Sequence, residues 1–522
     1  MQENARNDQN ELHKTIWKIA DELRGSVDGW DFKQYVLGIL FYRYISENLR
    51  EYINSLEGEG SDYASFDDKK AERGKRAIIE EKGFFIPPSA LFCNVIKNAK
   101  NDENLNVTLN EIFRNIESSS IGFESEEKVK GLFADLDVNS NKLGSSVAQR
   151  NEKLLKILNA IDSMELSAPP LLYNSLDSSI DIFGDAYEYL MGMYASKAGK
   201  SGGEYFTPQE VSELLVRIAI CNQTSINKVY DPCCGSGSLL LKFAKILGEN
   251  KKNVSFFGQE INLTTYNLCR INMFLHNIDY PKINIAHGDT LIEPMHENEE
   301  PFDAIVSNPP YSIKWAGDSN PLLINDPRFS PAGILAPKSN ADLAFCMHML
   351  SYLSPSGTCA IVSFPGVLYR GNAEQKIRKY LIENNFVDSV IALPENLFFG
   401  TSIATCILVL KKNKKDTDVL FIDASQEFIK EGKKNKLAHT HREKIINVYE
   451  KREEREYFST LATFEQIQEN DFNLSVNRYV KKKDTREKID IKVLNEEIKE
   501  AVKRQDTLRK ELDKVIKELE GE

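Results

Sequence analysis

Phe302-Asp303-Ala304-Ile305-Val306-Ser307-Asn308-Pro309-Pro310-Tyr311 is the stretch from which the fold of this chain is read. Its first five residues are mostly apolar and have the length of a buried strand. An amide, two prolines and an aromatic ring follow at the strand's carboxyl end, the edge along which open α/β sheets bind ligands. Proline fixes φ and donates no N–H, so the corner offers acceptors without competing donors. The side-chain oxygen of Asn308 and the carbonyl of Pro309 can both accept from one planar NH2 group, while Tyr311 stacks on the ring that carries it. A site that transfers a group onto an exocyclic or amide nitrogen is expected.

On both sides of this corner the pattern alternates strand and helix. Lys228-Val229-Tyr230 leads into Asp231-Pro232-Cys233-Cys234-Gly235-Ser236-Gly237-Ser238, and the spacing predicts a helix over 239–247. Further strands are predicted at 254–260, 283–289, 358–364, 387–393 and 403–411, with helices at 263–276, 342–353 and 375–383. Such alternation implies an α/β fold with a mainly parallel, doubly wound, Rossmann-like sheet.

Residues 12–160 read instead as mostly helical: Ile16, Ile19, Ala20 and Leu23 share one face, and residues 30–44 form a strongly apolar second helix. Arg43 within it reads as a solvated or ion-paired helix residue, and the polar stretch 57–76 as a loop or an excursion. Pro169-Pro170 marks a boundary. The expected organisation is an N-terminal helical domain over 1–168, a catalytic domain over 169–480 and a helical tail over 481–522. In the tail, Ile491, Leu494, Ile498, Ala501, Gln505, Leu508, Leu512, Val515 and Leu519 recur at heptad spacing, a seam suited to a partner helix.

With 522 residues, 41% of them hydrophobic and 28% charged, the chain should form two or three globular domains. It contains no apolar run long enough to span a membrane, and its N-terminus is too polar for a signal peptide. The eight cysteines form no C-x-x-C pair, so reduced thiols and a cytoplasmic location are expected. A net charge of −12 makes a poor stand-alone nucleic-acid binder. Action on DNA or RNA would need a local basic face or a partner.

Gly235 and Gly237 allow a ligand close to the backbone, and the helix that follows offers N–H groups. The third glycine of a dinucleotide fingerprint is missing, since Leu240 stands in its place. Walker spacing is absent around Gly199-Lys200-Ser201. A cofactor with a carboxylate and no phosphates fits better. Glu260 at the end of the second strand can accept from both ribose hydroxyls, and Asp289 at the end of the third from an adenine amine. A nucleoside with an amino-acid tail, S-adenosylmethionine, satisfies all three. Asp231 suits either a cap on the turn or a cofactor contact. Thr207-Pro208 reads as a helix start with Thr207 as the N-cap. His276 and His287 read as packing or surface residues, Lys314 and Trp315 could touch substrate, and the loop 314–340 could close over it.

Taken in order, Gly203-Glu204-Tyr205-Phe206-Thr207-Pro208, Asp231 to Ser238 and Asn308-Pro309-Pro310-Tyr311 resemble the motifs of amino-group DNA methyltransferases. The whole chain resembles the modification (M) subunit of a type I restriction-modification system. Trp17, Ala20-Asp21-Glu22-Leu23-Arg24 and Phe32-Lys33-Gln34-Tyr35-Val36-Leu37 are similar to that family's helical domain. Cys233-Cys234 departs from the small residues usual there, but cysteine packs as a small hydrophobe. The resemblance implies that Glu204, Tyr205, Phe206, Thr207, Pro208 and Gln209, with Ser236, Gly237 and Ser238, contact S-adenosylmethionine, and the turn reading adds Asp231 and Gly235 to the cofactor residues. It places Glu260 on the ribose and Asn308, Pro309, Pro310 and Tyr311 around a target adenine flipped from the duplex. No metal and no general base are assigned. The implied partners are double-stranded DNA, a specificity (S) subunit bound by two M subunits, and a restriction (R) subunit where the system has one. Two alternatives remain at this stage, a methyltransferase acting on protein glutamine or RNA, and a non-catalytic assembly subunit.

Overall fold

The computed structural model describes residues 29–58, 60–164, 207–398, 402–432, 434–481 and 491–521. The helix expected at 12–24, the boundary at Pro169-Pro170, and Glu204, Tyr205 and Phe206 lie outside the described residues. The chain divides into two compact units, Met1–Val480 and Lys481–Glu522.

The helical part of the first unit is built round α1 (Gly29–Glu57). From Tyr35 to Tyr42 almost every side chain is buried. The helix passes the expected end near Tyr44 because Ile45, Leu49 and Ile53 extend the apolar stripe by whole turns. Tyr42 meets Phe92 and Phe113 edge-on, at 5.7 and 5.4 Å. Two further helices, α2 (Leu105–Ser119) and α3 (Val147–Asp162), close this core, and Ser146 with Gln149 forms a capping box at the start of α3. Of the two expectations, Arg43 is ion-paired and not solvated: it is buried, meets Glu47 at 2.6 Å and donates to the Met164 carbonyl just beyond α3. The stretch 57–76 corrects the loop expectation. It holds short helices, and Tyr63 is buried with its hydroxyl donating to the Ile86 carbonyl at 2.8 Å.

Next come α4 (Gln209–Ile220), β1 (Lys228–Asp231), α5 (Ser238–Leu247), β2 (Ser255–Glu260), α6 (Leu263–Leu275), β3 (Ile283–His287) and β4 (Phe302–Ser307). They continue with α7 (Asp342–Tyr352), β5 (Leu353–Ser363), α8 (Asn372–Glu383), β6 (Val387–Ala392), β7 (Cys406–Lys411) and β8 (Val419–Asp423). The unit ends with a hairpin, β9 (Ile429–Glu431) and β10 (Lys434–Lys436), then α9 (His439–Lys451) and β11 (Ser459–Ala462). Nine strands form one sheet in the order β11-β8-β6-β7-β5-β4-β1-β2-β3. All pairs are parallel except those of β7 with β5 and β6, and of β11 with β8. The sequence reading found no strand beyond Lys411; β8 and β11 extend the sheet there.

The chain runs outward from β1 through β2 to β3, then returns to place β4 on the other flank of β1. The carboxyl ends of β1 and β4 therefore border the switch point, where doubly wound sheets open a crevice. Helix α6 ties this region to the helical part. Asp135 accepts from Thr264 Oγ1 at 2.9 Å and Asn267 Nδ2 at 3.0 Å, and Arg270 donates to the Lys130 carbonyl at 2.9 Å.

In the second unit, α10 (Ile491–Glu520) is a single helix of 30 residues with none buried. Leu508, Leu512 and Leu519 of its heptad seam are 58%, 60% and 81% exposed. Among the described residues no helix is long and apolar enough to cross a membrane.

Candidate active site

The glycine turn leaves β1 at Asp231, which is 1% exposed. Its Oδ1 accepts from the Cys233 N–H at 3.0 Å and from Ser307 Oγ at 2.7 Å, so one carboxylate joins the ends of β1 and β4. Burial pushes this carboxyl up to about 7, against the pull of those two donors. Gly235 and Gly237 have φ of +53° and +83°, a region closed to most side chains. A Cβ on Gly237 would also lie 2.8 Å from Cys269 Sγ. The turn ends as the N-terminus of α5, with Gly237 as N-cap and Ser236 and Ser238 largely buried beside it. Cys234 fills the narrow gap above Gly258, and all eight cysteines are free thiols.

Glu260 ends β2 and clamps the turn. Its Oε2 accepts from the Gly235 N–H at 3.1 Å and its Oε1 from the Asn262 N–H at 2.8 Å. The Ile261 N–H also faces this carboxylate, and of its roughly four lone-pair sites the remainder is open to a further donor. Burial raises its pKa while the backbone donors hold it down. Asp289, two residues after β3, is half-buried, and its Oδ1 accepts from the Leu291 N–H at 2.9 Å.

At the end of β4, Asn308 Nδ2 donates to Thr207 Oγ1 at 3.1 Å, and Asn308 Oδ1 accepts from the Tyr311 hydroxyl at 2.6 Å. Pro309 is buried and Pro310 half-buried. The Tyr311 ring stands edge-on to Phe398, with centroids 6.5 Å apart and planes at 81°. Burial raises the Tyr311 pKa, so its hydroxyl keeps its proton. The structure thus brings Thr207, Asp231 and Asn308 together from three separate stretches of sequence.

The profile of the family "N-6 DNA Methylase" matches residues 178–488, and that of "HsdM N-terminal domain" matches 12–161. The type I restriction enzyme MpnII methylase subunit of Mycoplasma pneumoniae is 50% identical, over 99% of this chain and 98% of its own. A crystal structure of the type I restriction-modification system methyltransferase subunit from Streptococcus thermophilus superposes with a TM-score of 0.81 at 37% identity. It covers 90% of this chain and 99% of that one. The chain belongs to the type I restriction-modification methylase subunits. It is accordingly an adenine-specific DNA methyltransferase subunit of the N6 class, with S-adenosylmethionine as methyl donor. The MjaVII methylase subunit of Methanocaldococcus jannaschii, 29% identical over 98% of this chain, falls in the same group. The glutamine, RNA and non-catalytic alternatives find no support in these relatives.

Several local expectations change in this methylase subunit. Thr207 does not cap α4: the N-cap position is Pro208, with no side-chain cap bond, and Gln209 is the first helical residue. The Thr207 hydroxyl instead faces Asn308. The segment 314–340 is not an open loop, because Leu323, Phe329 and Ala336 are core residues and Arg328 is buried. Trp315 packs on Phe329 and donates to the Pro337 carbonyl at 3.1 Å, while Lys314 is exposed. His287 is exposed, as expected.

Three residues at the site escaped the sequence reading. Asp342 at the start of α7 accepts from the Ser312 N–H at 3.1 Å, fixing the positive φ of +52° that turns the chain after Tyr311. Phe398 reaches the corner from the loop after β6. Asn435, in the hairpin, donates from Nδ2 to the Glu395 carbonyl at 2.8 Å and anchors that loop. An acidic residue opening a predicted helix was a visible signal for Asp342; nothing local marks Phe398 or Asn435.

Proposed function

We propose a division of labour across the switch point, in which the β1–β2–β3 side holds the cofactor and the β4 side holds the target adenine. Glu204, Tyr205, Phe206, Pro208 and Gln209, with Asp231 and Gly235, Ser236, Gly237 and Ser238, surround the amino-acid end of S-adenosylmethionine. Glu260 takes the ribose hydroxyls with its free lone pairs, and Asp289 accepts from the adenine amine of the cofactor. Asn308 Oδ1 and the Pro309 carbonyl accept both hydrogens of the target N6 group, with Pro310 shaping the corner. Tyr311 stacks on the flipped base, and Phe398 closes the far side. Those acceptors pull the nitrogen lone pair out of conjugation with the ring and aim it at the methyl carbon. When bound, S-adenosylmethionine would supply an electrophilic methyl carbon there, leaving as the neutral thioether, and the N6 proton would leave to solvent. Positioning and electrostatics drive the step.

The observation that carries this reading is the pair of bonds at the crevice. Ser307 Oγ donates to Asp231 Oδ1 at 2.7 Å, joining the two motifs, and the next residue, Asn308, donates from Nδ2 to Thr207 Oγ1 at 3.1 Å.

This methylase subunit works on DNA with the other subunits of its system. We assign sequence recognition to an S subunit that binds two copies of the chain, with an R subunit joining where present, all in the cytoplasm. Residues 1–168 act as a helical support, 169–480 as the catalytic domain and 481–522 as the docking helix, whose exposed seam fits a partner helix. The test is methylation of duplex DNA with labelled S-adenosylmethionine, by the chain alone and by the chain purified with its S subunit. Label on adenine N6 at one defined sequence, dependent on S, is expected. Sequence-defined methylation by the chain alone would overturn the assignment.

A further inference from the structure

Arg328 is 4% exposed and lies in the segment between Tyr311 and α7, away in sequence from every residue assigned to the cofactor. Its guanidinium uses all of its donors. Nε and Nη2 bond to the Asp326 carboxylate at 3.0 and 2.7 Å. Nη1 donates to the Thr290 carbonyl at 2.8 Å and to His348 Nδ1 at 3.2 Å, and Nη2 to the Leu291 carbonyl at 2.9 Å. Five N–H groups thus meet five acceptor atoms on four residues, the full capacity of the fork.

Arginine has no acceptor and does not give up its proton. His348 Nδ1 must therefore be the bare nitrogen, and Nε2 carries the hydrogen donated to the Tyr230 oxygen at 3.0 Å. Tyr230 directly precedes Asp231. On the other side, Thr290 Oγ1 donates to the Pro232 carbonyl at 2.6 Å. One buried arginine is thereby linked to the start of the glycine turn by two routes. It also holds the two carbonyls that directly follow Asp289. Within that turn, Ile292 and Glu293 donate N–H to the Asp289 carbonyl, at 3.1 and 2.7 Å, so its inner bonds are local and its outer carbonyls belong to Arg328.

We propose that Arg328 is a positioning residue for the adenine subsite of the cofactor, fixing the Asp289 carboxylate through its grip on the Thr290 and Leu291 carbonyls. The inference rests on the assignment of Asp289 to the cofactor's 6-amino group. Lysine at this place keeps the charge but has three donors on one atom, which cannot span two carbonyls, a carboxylate and an imidazole.

The test is calorimetry on the full chain with two ligands, S-adenosylhomocysteine and its analogue lacking the 6-amino group. The native chain should prefer the amino compound by roughly tenfold, as one bond to a charged acceptor gives. Asp289→Ala and Arg328→Lys should both bring the preference towards one. Asp326→Asn, which loosens the fork and is milder, should shift it the same way and serves if Arg328→Lys does not fold. A merely structural arginine would weaken both ligands equally, and an unchanged preference in Arg328→Lys or Asp326→Asn overturns the proposal. If only Asp289→Ala lowers the preference, the role of Asp289 stands and that of Arg328 falls. If Asp289→Ala leaves it intact, the assignment of Asp289 itself fails, and the proposal with it.

Discussion

The two halves of the site are held by different kinds of bond. On the cofactor side several bonds begin at main-chain N–H groups, beside the hydroxyl donors Ser307 and Thr290. Cys233 and Gly235 donate to the carboxylates of Asp231 and Glu260, and Cys234 donates to the Gln259 carbonyl. On the adenine side they join side chains: the Tyr311 hydroxyl to Asn308 Oδ1, and Asn308 Nδ2 to Thr207 Oγ1. A bond anchored on the turn's own N–H group holds one partner fixed by the fold, whereas a bond between two side chains is more readily exchanged for one to a substrate. The cofactor half is therefore preorganised. The adenine half is self-paired, and its key acceptor already takes a hydroxyl that competes with an incoming amine.

The sharpest way to break this contrast is Asn308→Ala. Without the amide oxygen, methyl transfer should fall by roughly a thousandfold or more, while calorimetry shows S-adenosylmethionine still binding, because the turn does not depend on that side chain. Retained turnover in a labelled-methyl assay would remove Asn308 from the chemistry.

Asp231 probes the preorganised half through pH. Its carboxyl is raised by burial to about 7, above the ordinary range near 4. A raised pKa gives stability that is complete below the unfolded value and is lost as pH climbs through the folded one. Between roughly pH 4 and 7 this residue should therefore cost on the order of 4 kcal/mol of stability. Asp231→Asn keeps an oxygen for both Cys233 and Ser307 and removes the charge. Melting temperature followed over that window should fall in the parent and fall less in the variant. Equal slopes would mean that Asp231 is ionised throughout.

Gly237→Ala tests the same half by shape. A left-handed residue costs about 1 kcal/mol and a clash with buried sulfur roughly 1–3 more, so both the melting temperature and cofactor affinity should drop. Gly333 is the control: it is also left-handed, with φ +66° and ψ +4°, but no atom lies within 4 Å of its missing Cβ. Gly333→Ala should show the backbone cost alone, about 1 kcal/mol. If the two variants behave alike, close packing under the turn is not what demands glycine.

The same contrast marks what the sequence could reveal. The strand before Asn308 and the glycine turn were legible because apolar runs, prolines and glycines act over a few residues. Thr207 was misread for the opposite reason: Ser/Thr-Pro before a helix signals a cap, but its hydroxyl is claimed by Asn308, 101 residues on. Residues 314–340 have the composition of turns and do contain them, yet burial there depends on Arg328 reaching carbonyls 37 and 38 residues upstream. The strand β8 is an apolar run, but its neighbours β6 and β11 lie far away in sequence, and charged stretches separate the three. Local chemistry was readable; long-range pairing was not.

Tyr311→Phe should have the smallest effect and bears most directly on self-pairing. It deletes the hydroxyl that occupies Asn308 Oδ1 and keeps the ring that stacks on the base. Losing one hydrogen bond should lower stability by about 1 kcal/mol, while the freed oxygen meets the amine with no competing donor. The KM for DNA should therefore fall a few-fold, with kcat changed by less than roughly tenfold. Tyr311→Ala, which also removes stacking worth roughly 1–3 kcal/mol, should raise KM instead, and the opposite signs separate ring from hydroxyl. If Tyr311→Phe is as inactive as Asn308→Ala, the hydroxyl takes part in the transfer itself. The bond at 2.6 Å would then be catalytic machinery and not a placeholder for substrate.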